Sequence, residues 1–237
     1  MSRMFSFVDS TWNPAGGACP HKCVYCWGRR LQRRFRLEKY QGEFRLVKKE
    51  LKRRFKPGEL VFVQDMSDLW AWEVPDSIIQ AVLDHIRRFP KTKFLLLTKN
   101  PERYIRFISN IPVNCVLGAT VETNGWTEER RDFYAQISEA PHPEDRIKAL
   151  LRIKELETLH QTMISVEPIL EFDFNTFLSD LAVVQPDFIV IGYDNYNCRL
   201  PEPPLEKTKQ LIAALEEMGF QVYCKTLRKA WQEAKTD

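Results

Sequence analysis

Cys19, Cys23 and Cys26 stand in the run C-P-H-K-C-V-Y-C-W, a C-x3-C-x2-C spacing with Tyr25 directly before the last cysteine. Three thiolates so close in sequence can each hold one iron of a [4Fe–4S] cube and leave the fourth iron open to a substrate or cofactor, whereas a four-cysteine site is closed. Zinc is the rival. Structural zinc sites present two ligand pairs separated by a dozen or more residues, and here Cys115, Cys198 and Cys224 are scattered singly. His21 completes a Cys3His set only by folding back between its own neighbours. The spacing favours the cluster and leaves zinc and an inert thiol loop as alternatives.

A site of this kind needs a scaffold. The 237 residues, 44% of them hydrophobic, suffice for one sizeable core and fall slightly short of a complete eight-stranded barrel, so a single domain over 1–237 is expected. No apolar run approaches the ~20 residues that span a bilayer, and the N-terminus lacks a basic region followed by an apolar signal segment. The expectation is a cytoplasmic protein with no membrane partner, whose six cysteines stay reduced and serve as ligands, catalysts or core residues.

Short β-branched or aromatic runs alternate with longer amphipathic ones, the pattern of successive βα units around a parallel sheet. Strands are expected near 6–8, 60–64, 94–98, 116–121, 163–166, 188–191 and 221–223. Helices are expected near 28–36, 45–55, 76–89, 101–108, 144–159, 174–183, 205–218 and 227–234. Pro75 and Pro101 mark helix starts, and Gly219 lies just past a helix end. The predicted fold class is α/β, a partial (β/α)6-type barrel of parallel strands with a place for a seventh. Each predicted strand is followed by a charged residue: Asp9, Asp65, Lys99, Glu122, Glu167, Asp194 and Lys225. In a parallel barrel those positions share one rim, where the loops converge on a cavity.

The cysteine loop resembles that of the radical S-adenosylmethionine (SAM) superfamily. The stretches T-W-N-P (11–14), F-V-Q-D-M-S-D-L-W (62–70), L-L-T-K-N-P-E-R (96–103), L-G-A-T-V-E (117–122) and S-V-E-P-I-L (165–170) resemble the small phage and prokaryotic three-cysteine-motif proteins, over about 4–225. A more distant likeness is to spore photoproduct lyase. The resemblance implies a [4Fe–4S] cluster on Cys19, Cys23 and Cys26, with SAM on its open iron and reductive cleavage to a 5′-deoxyadenosyl radical. It also implies an electron donor such as ferredoxin or flavodoxin. By the same resemblance Gln64, Asp65 and Ser67 face the methionine amino group, Lys99 its carboxylate, and Thr120 and Glu122 the ribose. The superfamily's Gly-Gly-Glu at the second strand is absent, and Asp65 is its substitute. Glu167 and Lys225 are substrate-side candidates, with a buried ion pair as the alternative. Spore photoproduct lyase has a hydrogen-donating cysteine in a C-x-S-D context where D-M-S-D here carries Asp65, so Cys198 and Cys224 are the thiols left to act from the rim.

Between Gly28 and Lys56 thirteen Lys or Arg face three Glu, a local +10, so that the rest of the chain carries −7 of the net +3. This basic insertion directly follows the cysteine loop. Arg29, Arg33 and Arg36 are expected on one helical face and Arg45, Lys49, Lys52 and Lys56 on another, with Phe35, Tyr40 and Phe44 between them as stacking groups and Trp70 and Trp72 in a later loop. The patch suits a polyanion, so DNA or RNA is the leading partner class. The alternatives are a non-catalytic cluster or zinc module that binds nucleic acid, and an enzyme acting on a peptide or small metabolite.

Overall fold

The runs L-V-F-V, F-L-L-L-T, M-I-S-V and F-I-V-I are apolar at both odd and even positions, the mark of parallel strands covered on both faces. In the computed structural model, which describes residues 5–124 and 128–233, they lie in one seven-stranded sheet. The strands are β1 (Ser10–Trp12), β4 (Leu60–Val63), β5 (Lys93–Thr98), β6 (Cys115–Thr120), β7 (Gln161–Val166), β8 (Phe188–Ile191) and β9 (Gln221–Cys224). They pair in that order, all parallel, and β1 does not meet β9, so the barrel is open. A two-stranded antiparallel pair, β2 (Ala15–Gly16) with β3 (Arg45–Leu46), stands beside it. The helices are α1 (Trp27–Arg34), α2 (Asp76–Arg87), α3 (Glu102–Phe107), α4 (Glu128–Ile137), α5 (Pro143–Glu155), α6 (Phe174–Val184) and α7 (Leu205–Glu217). From α2 onward they supply the crossovers that parallel strands require.

Alternation along each strand sorts the core into two layers. Val61, Val63, Phe94, Leu96, Leu117, Ile164, Val166, Ile189 and Ile191 pack outward against α2, α5, α6 and α7. Phe62, Leu95, Val116, Met163 and Val190 face inward, joined by Phe5 and Val8 from the N-terminal segment. Phe7 stacks on Phe5 (5.3 Å) and meets Phe188 (5.5 Å) and Tyr223 (5.0 Å), an aromatic plug that fills the barrel below. Continuing the inward parity up each strand gives Lys99, Thr120, Glu122, Glu167, Asp194 and Lys225, which is why the interior turns polar at the rim.

Four sequence expectations need correction. The first strand is Ser10–Trp12 rather than 6–8, because Phe5, Phe7 and Val8 serve as the plug. Asp9 therefore precedes its strand, and its carboxylate accepts from Leu60 N (2.9 Å) at the end away from the rim. Residues 45–55 form no α-helix; β3 and a 3-10 turn (Glu50–Lys52) occupy them. Trp12 Nε1 donates to Glu50 O (3.1 Å), and the Arg53 guanidinium is drawn to Thr11 O and Ser10 Oγ, so tertiary hydrogen bonds override helix propensity. Residues 227–233 are likewise not α-helical, and Ala234 lies outside the described residues, as does Met4 of the motif region. The helix α4 had no counterpart in the sequence reading.

Gly118, in the middle of β6, has room for no side chain: a Cβ there would sit 2.9 Å from Met163 Cγ and 3.0 Å from Leu97 Cδ1. Gly118→Ala is expected to destabilise the fold by about 1–3 kcal/mol through overpacking, read as a lowered urea midpoint at unchanged m-value. An unchanged midpoint would mean that Met163 and Leu97 yield freely.

Candidate active site at the mouth of the barrel

The cysteine loop is tied to three separate elements. Val24 N donates to Ile137 O (2.9 Å), Glu139 N to His21 O (2.7 Å), and Cys23 Sγ lies 3.2 Å from Ser138 Oγ, which fixes one side to the end of α4. On the other side His21 Nε2 lies 2.9 Å from Asp68 Oδ2. Asp68 also accepts from Thr98 Oγ1 (2.8 Å), Lys99 N (2.8 Å) and Trp70 N (2.9 Å), joining the loop to β5. Cys26 caps α1, its sulfur accepting from Arg29 N (3.4 Å). Burial raises the Asp68 carboxyl, but the His21 contact and these amide donors outweigh it and hold the group below its ordinary range.

Above Thr120 a wholly buried carboxylate gathers its neighbours. Glu122, 0% exposed, accepts from Arg146 Nη1 (2.8 Å), Tyr25 Oη (2.6 Å) and Tyr134 Oη (3.2 Å), and pairs closely with Lys99 Nζ. Arg146, also 0% exposed, donates further to Thr120 O (2.8 Å), Pro141 O (2.7 Å) and Tyr134 Oη. Burial alone pushes the Glu122 carboxyl up, yet the Arg146 and Lys99 charges outweigh it and hold it at about 2. Burial alone would lower Lys99, but Glu122 together with Tyr134 and Cys23 outweighs it and raises the amine. Beside this network Lys225 Nζ meets Glu167 Oε1 at 2.7 Å, with Gly192 leaving space between them. Glu167 Oε2 is buried with no hydrogen-bond partner among the described residues, and burial raises that carboxyl despite the charges of Lys225 and Lys99.

The structure brings together Cys19, Cys23, Cys26, Lys99, Thr120, Glu122, Glu167 and Lys225. Cys198 joins them from the loop after β8, its sulfur 3.1 Å from Arg30 Nη2 and packed with Cys26 against the cluster around Cys23 and Tyr25. Gln64 and Ser67 are turned elsewhere: Gln64, at φ +62, exchanges two 3.0 Å hydrogen bonds with the Ala15 backbone and donates to Ser67 Oγ (2.7 Å). Asp65 accepts from Asn13 Nδ2 (2.5 Å). Cys224 has the outward parity of Val222, is exposed, and feels Glu216 of α7 rather than the rim. Trp70 and Tyr40 are buried, while Trp72 is exposed. Sequence reasoning missed Asp68, Tyr134 and Arg146. The second aspartate of D-M-S-D and an arginine in line with Leu150 and Ile153 on the apolar stripe of α5 were the available signals.

Burial raises the Cys19 and Cys26 thiols, and the neighbouring cysteines add to the effect on each. Among the described residues no group of three or more His, Cys, Asp or Glu is arranged to hold a single metal ion. A cube asks for something different, one thiolate on each of three irons. Cys23 is buried and Cys19 and Cys26 are half-buried, and with Arg29 N on the Cys26 sulfur and Ser138 Oγ beside Cys23 they are thiols of the type and number that such a cube takes.

The fold is an open, partial parallel barrel that several solved structures share. Among solved structures, a spore photoproduct lyase mutant superposes with a TM-score of 0.63, covering 94% of this chain and 81% of that one at 10% identity. Streptococcus suis SuiB bound to S-adenosylmethionine superposes with a TM-score of 0.55 at 11% identity, covering 93% of this chain and 51% of SuiB, so the chain spans about half of SuiB's length. A spore photoproduct lyase mutant with bound AdoMet and dinucleoside spore photoproduct gives 0.54 at 11% identity, covering 87% of this chain and 61% of that one. A search among curated proteins finds no match. The chain belongs to the family described as Protein of unknown function (DUF5131), whose model matches residues 3–195.

Because the Glu122 carboxyl sits at about 2 against an ordinary 4.5, its ionised form adds stability that is complete above the unfolded-chain value and is lost as pH falls from about 4.5 toward 2. Glu122→Gln is expected to flatten that acid limb in thermal melts across the range. A limb as steep as that of the wild type would assign the acid titration to other carboxylates.

Proposed function

We propose that the chain is a radical SAM enzyme acting on a nucleic acid. The observation that carries the reading is the three-cysteine loop seated over the Glu122–Arg146–Lys99 network at the mouth of an open parallel barrel. Cys19, Cys23 and Cys26 would hold a [4Fe–4S] cluster. Bound there with SAM, it supplies one-electron reductive cleavage of the cofactor to a 5′-deoxyadenosyl radical, given an electron donor such as ferredoxin or flavodoxin. The chain's own residues orient and shield. Lys99, with its charge only partly offset by the shared Glu122, suits a carboxylate, and Thr120 suits a hydroxyl group, while Glu122, fully buried among its four partners, holds Lys99 in place. Glu167, with one oxygen unpaired, stands where it can accept or hold a proton on the substrate side.

The basic surface supports nucleic acid as the substrate class, in altered form. Arg45 and Arg53 are occupied by backbone carbonyls, and Lys39 by Glu50. Arg36 lies past the end of α1 at φ +49. Arg33, Arg36, Lys48, Lys49, Lys52 and Lys56 remain exposed, with no ion pair among the described residues. Of the expected stacking groups, Phe35 and Trp72 stay at the surface, at 58% and 56% exposure. The likeness to spore photoproduct lyase holding a dinucleoside product agrees with this class. The likeness to SuiB bound to the precursor peptide SuiA supports a second reading, a peptide substrate.

Anaerobic reconstitution is expected to load about four irons and four sulfides, lost on Cys→Ala at any of the three positions, and the reduced protein should release 5′-deoxyadenosine from SAM without substrate. Stoichiometric zinc without iron uptake would sink the reading. Lys99→Ala is expected to weaken SAM binding by roughly 1.5–3 kcal/mol; unchanged affinity would leave Lys99 as a partner of Glu122 alone.

For the substrate class, log affinity for an oligonucleotide should fall linearly with log salt. Replacing Arg29, Arg33 and Arg36 with Gln should flatten that slope by about two to three units and spare SAM cleavage. A salt-independent affinity, equal in both proteins, would promote the peptide reading.

A further inference from the structure

A cavity of about 940 Å³ opens beside the cysteine loop, within the roughly 300–1,000 Å³ typical of ligand sites. Arg130, Phe133 and Tyr134 of α4, Asn197 and Arg199 of the loop after β8, and Trp231 line it. Tyr134 also donates to Glu122, so the cavity's inner end is the site already described.

Its outer wall is built by a buried carboxylate with no part in that site. Glu202, 3% exposed, accepts from Arg228 Nη1 (2.9 Å), Arg228 Nη2 (2.6 Å) and Trp231 N (2.9 Å), and its carbonyl accepts from Gln232 Nε2 (2.7 Å). The Arg228 guanidinium in turn lies 4.2 Å over the Trp231 ring. A buried ion pair adds little net stability but fixes geometry, and what this one fixes is an indole on the cavity wall.

The opposite wall is held with equal care. Asn197 (φ +50) and Arg199 (φ +56) both take the left-handed conformation that costs a non-glycine residue energy. The Asp194 carboxylate holds the turn by accepting from Tyr196 N (3.0 Å) and Cys198 N (2.6 Å). Cys198 thereby points to the cysteine loop while its two neighbours line the cavity. Arg199 is exposed and makes no ion pair among the described residues. Arg30 of the cationic α1 touches this loop from the other side, 3.1 Å from Cys198 Sγ and 4.8 Å from the Tyr196 ring centroid, so basic surface, loop and cavity are contiguous.

Aromatic faces with guanidinium groups at the edge, reached along a cationic helix, match one ligand chemistry: a base that stacks and a phosphate that pairs. Of the carboxylates that line the cavity, Glu171 is already neutralised by Lys207. We infer that this cavity is a nucleotide pocket that holds one unstacked nucleotide of a single strand against Phe133 and Trp231, with its phosphate on Arg199. The inference rests on the radical SAM reading above and names the substrate class of that site.

The test uses reconstituted protein and fluorescently labelled short oligothymidylate and oligouridylate in anisotropy titrations, the two probes separating DNA from RNA. Arg199→Gln should weaken binding about tenfold or more, and Trp231→Leu by about fivefold to a hundredfold. Lys93→Gln, which removes the same charge at the opposite end of β5, should leave affinity unchanged. Release of 5′-deoxyadenosine from SAM without oligonucleotide is measured in parallel. Its absence in the wild type counts against the enzyme reading, and the titrations still decide the pocket. Affinities for both probes that are equal across wild type, Arg199→Gln and Trp231→Leu overturn the pocket and favour a peptide as its occupant.

Discussion

The mouth of the barrel depends on one buried carboxylate. Transferring an unpaired carboxylate into a low-dielectric interior is prohibitive, so Glu122 exists as an anion only because Arg146 and Lys99 accompany it and two tyrosines complete its acceptor sites. The partners come from distant parts of the chain: Tyr25 from the cysteine loop, Lys99 from the end of β5, Tyr134 from α4 and Arg146 from α5. Removing any one leaves the others incompletely satisfied, which gives a polar network its cooperativity. Two cations against one anion also leave a local excess of positive charge. Three thiolates facing the same region would be stabilised by that excess, as would the carboxylate of a small ligand.

The two layers of the sheet explain why this chemistry sits where it does. Outward residues are spent on helix packing and inward ones on the aromatic plug, so only the upper inward positions are free to be polar. Glycine fits where the inner space is tightest. Gly118 yields to Met163 and Leu97 below the rim, and Gly192 lets Lys225 approach Glu167 at it. The unpaired Glu167 Oε2 stands out in a mouth whose other acidic oxygens are mostly engaged.

Much of this was legible in the sequence, for identifiable reasons. Apolar runs bounded by charges gave the parallel strands from β4 to β9 within a residue or two, and the charged residues at their ends gave Lys99, Glu122, Glu167 and Lys225, because strand parity carries them inward automatically. Gln64, in a left-handed conformation, spends its side-chain amide on the Ala15 backbone of β2, a long-range contact that no local pattern reports. Asp68, four residues past Gln64, links the loop to the barrel. Arg146 was hidden because nothing local distinguishes a buried arginine from a solvated one on a charged helix. The helix expected over 45–55 failed because Trp12 and Arg53 recruit that segment through contacts with residues some forty positions away, which no local pattern reports.

The way the cysteine loop is held bears on the choice between an enzyme and a free-standing metal module. Small zinc modules gather their ligands from a short segment that folds around the ion, so that metal binding supplies the folding energy. Here Cys23 rests on Ser138 of α4, His21 is clasped by Asp68 beyond β4, and Cys26 opens α1. Ser138 and Asp68 lie more than forty residues away, on elements assembled by the hydrophobic core. The loop's geometry is therefore a product of the barrel. On the proposed enzyme reading the barrel sets the three thiols beside the Glu122–Arg146–Lys99 network, whereas nucleic-acid binding alone would require only the basic surface next to it.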